Sequence, residues 1–150
     1  MTGCATRQPY DYTAFKESKP RSIVVLPPLN NTPEVQASYS VLSYATLPLA
    51  EAGYYVMPVT LVAETFKENG MTQPADMHAT PAAKLREIFG ADAALYITIS
   101  EYGTVYRVIS SASIVTAGAR LVDLKTGKVL WTGAATASSE EGKSQQGGVA

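Results

Sequence analysis

The stretch Arg21-Ser22-Ile23-Val24-Val25-Leu26-Pro27-Pro28-Leu29-Asn30-Asn31-Thr32-Pro33 decides the fold. Ser22 to Leu26 is a continuous run rich in β-branched residues, and from Ile23 on no polar residue takes alternate positions. Such a strand is buried on both faces, which requires cover above and below the sheet. Pro27-Pro28 closes it, because proline lacks the N–H a ladder needs. Leu29 to Pro33 reads as a turn, with Thr32 as a capping residue and Pro33 at the first helical position. A helix from Glu34 to about Leu47 follows, with Val35, Leu42, Ala45 and Leu49 near helical spacing. Pro48 should kink or end it, and Gly53 stops whatever continues.

Downstream, Tyr54-Tyr55-Val56-Met57 is a short strand ended by Pro58. Thr60 is read as the cap of a helix through Leu61, Val62, Phe66 and Lys67, stopping at Asn69-Gly70. A polar loop containing Pro74 and His78 leads to a second cap-plus-proline signal at Thr80-Pro81. Ala82 to Phe89 is a helix, with Leu85, Ile88 and Phe89 on its apolar face and Gly90 after it. From Ala93 the period becomes two: Leu95, Ile97 and Ile99 alternate with Tyr96, Thr98 and Ser100. Val105 to Ser110 is read as a continuation past a kink at Tyr102-Gly103. Ser113 to Asp123 alternates again, with Val115, Ala117, Ala119 and Leu121 facing one way. Leu124-Lys125-Thr126-Gly127-Lys128 is a hairpin signal, and Val129 to Ala137 its return strand.

The expected fold is therefore α/β: a mixed sheet of about five strands, in the order β-α-β-α-α-β-β-β, with helices packed on it. One domain spans residues 21–137. Residues 1–20 form a flexible tether, and 138–150 a polar tail, read either as disordered or as cut before further sequence. The small stretches Ala117-Gly118-Ala119 and Gly133-Ala134-Ala135 fall in paired strands. They would let helices approach the sheet closely, or thin it where another molecule docks.

Composition narrows the function. With 46% hydrophobic and 17% charged residues the chain is globular, and a net charge of -1 gives no reason to expect nucleic acid. No apolar run approaches the roughly 20 residues that span a bilayer, so membrane attachment would be covalent or through a partner. One Cys and one His exclude an intrachain disulfide and leave a Cys/His zinc site short of ligands. No metal or other cofactor is expected, and no phosphate-cradling Gly-rich loop follows the first strand. A hydrolase using His78 with a Ser or Asp is a minor reading beside that of a solvated loop histidine. The acids Glu64, Glu68, Glu140 and Glu141 read as solvated charges.

The most specific chemistry is at the start, Met1-Thr2-Gly3-Cys4-Ala5-Thr6. It is similar to the end of a bacterial lipobox, where a small residue precedes the Cys that takes diacylglycerol. The expectation is that a signal peptide preceded Thr2 and that Met1 replaced it. Ala5 after the Cys resembles an outer-membrane sorting signal. The alternative reading is a free thiol in a disordered tail.

Two further features stand out. The loop at the end of the first strand, Pro28, Asn30, Asn31 and Thr32, occupies a place where open α/β sheets often contact ligands or partners; a turn with a cap is the alternative. The second is an excess of tyrosine, 9 against 3 Phe and 1 Trp. Tyr54, Tyr55, Tyr96, Tyr102 and Tyr106 are candidates for a protein interface, since tyrosine buries area while satisfying a hydroxyl. Core-edge packing remains the alternative.

The opening Arg21 to Thr32, the segment Gly53-Tyr54-Tyr55-Val56-Met57-Pro58, the string Phe89-Gly90-Ala91-Asp92 to Ile97 and the hairpin Leu121 to Trp131 together resemble a known family. It comprises outer-membrane lipoproteins of unknown function and includes a meningococcal vaccine-candidate antigen. The element order is also similar to the curli secretion channel lipoprotein and to the N-terminal domain of the Tol-system propeller protein. The resemblance covers residues 20 to 137 and carries no catalytic motif. It implies a palmitate-bearing, lipid-anchored domain in the periplasm, not an enzyme. Its expected role is an adaptor or assembly factor, a monomer or homodimer, docking on a secretion-channel-like lipoprotein or other envelope protein. Regulation of peptidoglycan synthesis is the alternative role.

Overall fold

A computed structural model of the chain describes residues 11–106 and 111–138, without side chains at 104–106, 111–113 and 137–138. The first strand, β1 (Ser22–Val25), sits between two parallel neighbours: β3 (Tyr55–Val56), pairing Ser22 with Tyr55, and β4 (Ala93–Tyr106), pairing Ile23 with Ala93. Val24 faces one core while Ile23 and Val25 face the other, and none is more than 1% exposed. Burial on both faces is what the unbroken apolar run demands. After the two prolines the chain rejoins the sheet as β2 (Leu29–Asn30), parallel to β4 at Thr98 and Ile99. The segment read as a turn thus begins as a strand, and the Asn31 N–H donates to the Ile99 carbonyl at 2.9 Å.

β4, β5 (Ser111–Asp123) and β6 (Val129–Ser138) form an antiparallel meander, with a register shift between Ile99 and Glu101. The mixed sheet runs β3-β1-β4-β5-β6 with β2 alongside β4, six strands among the described residues. The predicted α/β class holds, and the sixth strand is the unforeseen β2.

Among the described residues five helices cover the two faces: α1 (Thr13–Ser18), α2 (Gln36–Glu51), α3 (Val59–Glu68), α4 (Pro74–His78) and α5 (Ala82–Phe89). On one face Val62 and Phe66 of α3, Met77 of α4 and Leu85 of α5 close over Val24, Leu26, Ala94, Tyr96 and Val122. Phe66 and Phe89 meet edge to face at 5.1 Å. On the other, Phe15 of α1 and Ala37, Val41, Leu42, Ala45 and Leu49 of α2 pack against β1, β4 and β5.

Local expectations shift at the helix ends. Residues 13–18, read as tether, are a helix, because Ala14 and Phe15 find apolar partners on the sheet. Thr32, Thr60 and Thr80 cap no helix: α2 begins after Val35, α3 after Pro58 and α5 after Pro81. α2 continues through Pro48 to Glu51, since Ala45 and Leu49 on either side are held by the core; the Ala52 N–H still finds the Pro48 carbonyl at 3.0 Å. The predicted loop before Thr80 holds α4, fixed by Met77, which is buried.

Two aspartates tie the elements. The Asp92 carboxylate accepts the Arg21 and Ser22 N–H groups at 2.9 and 3.3 Å, and the Ser22 hydroxyl accepts the Asp92 N–H at 3.0 Å, which locks the start of β1 to that of β4. Asp123 builds the β5–β6 turn: its carboxylate accepts the Lys125 and Thr126 N–H groups at 2.7 and 3.1 Å. Its second oxygen accepts the Ser18 hydroxyl at 2.5 Å and so clips α1 to the hairpin.

Candidate functional site

The two sheet faces are unequally covered. On the α2 side an open groove of about 570 Å³ runs between α1, α2 and strands β4 to β6. Its floor is made by Ala117-Gly118-Ala119 of β5 and Gly133-Ala134-Ala135 of β6, the two small-residue stretches of paired strands. Small side chains leave space there that larger ones would fill. Trp131 lies along the floor, and a Cβ on Gly133 would run into its ring, so glycine permits the position the indole takes. At one end Tyr12, Phe15 and Tyr54 form an edge-to-face row, with centroids 6.5 and 6.4 Å apart. The lining side chains are apolar or aromatic throughout.

The outer wall is α2, whose apolar residues go round the helix instead of keeping to one stripe. Tyr39 is 70% and Tyr44 81% exposed, and Val35 and Leu47 are also largely in solvent. Val35 and Tyr39, four apart, share one flank; Tyr44 and Leu47, three apart, share another beside the groove. Sequence reading passed over Tyr39, Tyr44 and Leu47 and put Val35 on the apolar spacing of the helix, whereas Val35 stands at the helix N-terminus, 74% exposed. Their signal was present: a segment apolar on every side belongs to a buried helix or to one that meets a partner.

The predicted tyrosines do not form one patch. Tyr54 lines the groove, while Tyr55 is 62% exposed on the edge strand β3. Tyr102 is half-buried, its hydroxyl 3.5 Å from that of Ser40 on α2. Tyr96 is 7% exposed in the opposite core, so as an interface residue it is corrected to a core residue. It alternates with Leu95 and Ile97, and its face of β4 is the one that α3, α4 and α5 cover. Tyr106 ends the backbone pairing of β4 opposite Ser111, and its side chain lies outside the described residues, as does Cys4.

The predicted loop divides similarly. Pro28 is fully buried, and Asn30 is occupied locally. Its Oδ1 accepts the Thr32 N–H and hydroxyl at 3.0 and 2.6 Å, and its Nδ2 donates to the Glu34 carbonyl at 2.7 Å. Asn31 and Thr32 instead border a second cleft of about 300 Å³, together with Ser100, Glu101 and Tyr102. The fold thus joins part of the loop with one predicted tyrosine.

His78 is not a solvated loop residue. It is half-buried on α4, with its ring edge-on to Tyr96 at 5.4 Å. Nε2 lies 2.8 Å from the Pro27 carbonyl oxygen; a carbonyl only accepts, so Nε2 carries the proton and donates. Burial holds its pKa below the ordinary histidine value, against the pull of the Pro27 carbonyl and with help from Arg120. Arg120 lies 4.4 Å over the Tyr96 ring, a cation–π contact. The ring is thus set by packing. Among the described residues no three His, Cys, Asp or Glu side chains gather where a metal ion could be held, and no helix is long and apolar enough to cross a membrane.

Comparison with known proteins gives concordant likenesses. Residues 10–150 match the family described as "Putative lipoprotein GNA1162-like". A relative from Neisseria meningitidis serogroup B, "Putative lipoprotein NMB1124/NMB1162", is 53% identical over 138 residues, 92% of this chain; the chain spans 64% of that relative's length. The crystal structure of lipoprotein GNA1162 from Neisseria meningitidis is similar at 52% identity and a TM-score of 0.73, covering 81% of this chain and 86% of that one. A PelC dodecamer from Paraburkholderia phytofirmans shares the fold at 18% identity and a TM-score of 0.54, covering 79% and 71%.

Proposed function

The chain belongs to the GNA1162-like lipoprotein family, and from that premise we propose that it is an envelope adaptor, anchored through Cys4, that binds partner proteins without catalysing a reaction. The observation that carries this reading is the uncovered aromatic and aliphatic surface of α2, with Tyr39, Tyr44 and Leu47 in solvent. Large exposed apolar side chains on one regular element are what a protein partner covers, and tyrosine is the side chain best suited to that contact. The Asn31–Tyr102 cleft extends the surface beside the helix, where Tyr102 meets Ser40 of α2. The partner is an envelope protein, of the secretion-channel kind in the reading we favour, met at the periplasmic side of the outer membrane. Self-association is a compatible form of the same role: the fold is also that of a protein that forms a dodecamer.

The test is affinity isolation from detergent-solubilised membranes, comparing the native chain with Tyr39→Ser, Tyr44→Ser and Leu47→Ser combined. A stoichiometric partner retained by the native chain and lost by the variant, with circular dichroism unchanged, is the expected result. An identical partner set from both would remove α2 as the docking surface.

A further inference from the structure

We propose that the groove between α1, α2 and strands β4 to β6 is a berth for one acyl chain carried on Cys4 of the same molecule. The inference rests on the lipid-anchor reading and adds a second place for the lipid to go. Three observations support it. The groove lies between Val41 of α2 and a sheet face that presents Leu95, Ile97, Ala119 and Trp131, and no lining side chain is charged among the described residues. A hydrocarbon needs nothing else. Its volume, about 570 Å³, lies within the roughly 300–1,000 Å³ range of sites that enclose a single small ligand, so it suits one chain and not a set.

The third observation is where the described chain begins. It starts at Asp11, and its second residue, Tyr12, already lines the groove. Cys4 stands eight positions before Tyr12. Eight extended residues reach about 26–29 Å, so a lipid on Cys4 can fold back to the aromatic end formed by Tyr12, Phe15 and Tyr54. Residues 139–150 are a poorer occupant, because Glu140, Glu141 and Lys143 would bring charge against walls that offer it no partner. Seating a chain in the groove withdraws it from the bilayer. Since stable anchoring takes more than one chain, the berth shifts the balance between anchored and released states.

The chain has one Cys and one Trp, which makes the proposal directly readable. The full chain is alkylated at Cys4 with a maleimide bearing a brominated hexadecyl chain, and Trp131 fluorescence is followed. Quenching of several-fold that does not vary with protein concentration, and is missing with N-ethylmaleimide, is the expected result. Ala119→Phe, which fills the floor, should restore the emission; Ala135→Phe serves the same purpose should the first variant fail to fold. Unquenched Trp131, or equal quenching in a folded filled-groove variant, overturns the proposal. So does quenching that rises with protein concentration, since the groove then takes lipid or chain from a second copy. Mass spectrometry of the chain recovered from membranes separates the premises. An unmodified Cys4 there overturns the anchor and this proposal together, whereas a lipidated Cys4 with unquenched Trp131 overturns this proposal alone.

Discussion

Sequence reading made His78 a solvated loop residue, and its surroundings on α4 instead give it a measurable signature. Burial favours the neutral ring, so the folded state binds its proton less readily than the unfolded chain, where the value is near 6.5. The unfolded state therefore holds more protons between the folded value and 6.5, and stability rises with pH through that window. The contribution is fully present above pH 6.5 and is lost as the pH falls toward the folded value. Urea titrations of the native chain should show this slope, and His78→Ala should lack it. At pH 8 the variant should be about 1–2 kcal/mol less stable, from the lost bond to Pro27 and the lost ring contact with Tyr96. An unaltered pH slope in His78→Ala would show that the titrating group lies elsewhere. Gly90 makes a simpler case at the same scale. It ends α5 with a φ of 68°, a conformation an L side chain resists, so Gly90→Ala should cost about 1 kcal/mol by the same titration.

At the scale of elements, the β5–β6 turn shows why a family signature need not mark chemistry. The Asp123-Leu124-Lys125-Thr126-Gly127 segment owes its pattern to geometry: the carboxylate takes two turn N–H groups, and Gly127 supplies a φ of 77°. Burial pulls the Asp123 carboxyl upward, but the Ser18 hydroxyl, the two turn N–H groups and the Lys125 charge leave it net below its usual range. A depressed carboxylate contributes stability that is present above the unfolded value near 3.9 and is lost as the pH falls through the folded value. Asp123→Ala should therefore flatten the acid limb of the stability curve and free α1 from the hairpin. The loss should be about 2 kcal/mol at neutral pH, with faster amide exchange in Thr13–Ser18 as the second readout.

The same scale shows what could be read and what could not. β1, the β4–β5–β6 meander and α5 were legible, because an unbroken apolar run, a period of two and a Gly stop signal each depend on neighbours close in sequence. The α1 helix, the passage of α2 through Pro48 and the burial of Tyr96 depend on long-range partners. Their one-dimensional pattern is that of a tether, a break and an exposed aromatic. The groove was half legible: its small-residue floor was visible in β5 and β6, whereas the α2 wall needed the tertiary structure to show which apolar residues had been left outside.

For the whole molecule, the decisive property is the asymmetry between the two sides of the sheet. Three helices close over one face, where Leu85, Phe66 and Val62 are essentially without solvent contact. The other face carries α1 and α2 and leaves the groove over β5 and β6 open. If the closed side supplies stability and the open side binding, substitutions on the two sides must separate. Leu85→Ala leaves a cavity among residues that cannot readily collapse, so it should cost about 2–5 kcal/mol in a urea titration. Tyr44→Ser and Leu47→Ser remove side chains that the fold leaves in water, so each should stay within about 0.5 kcal/mol while weakening partner retention. Amide exchange should follow the same division, slowest in β1 and the Ala93–Ile99 half of β4, faster in β6 at the sheet edge. A large stability loss from Tyr44→Ser would mean that the exposed wall of α2 is structural in solution, and the functional assignment of that face would fail with it.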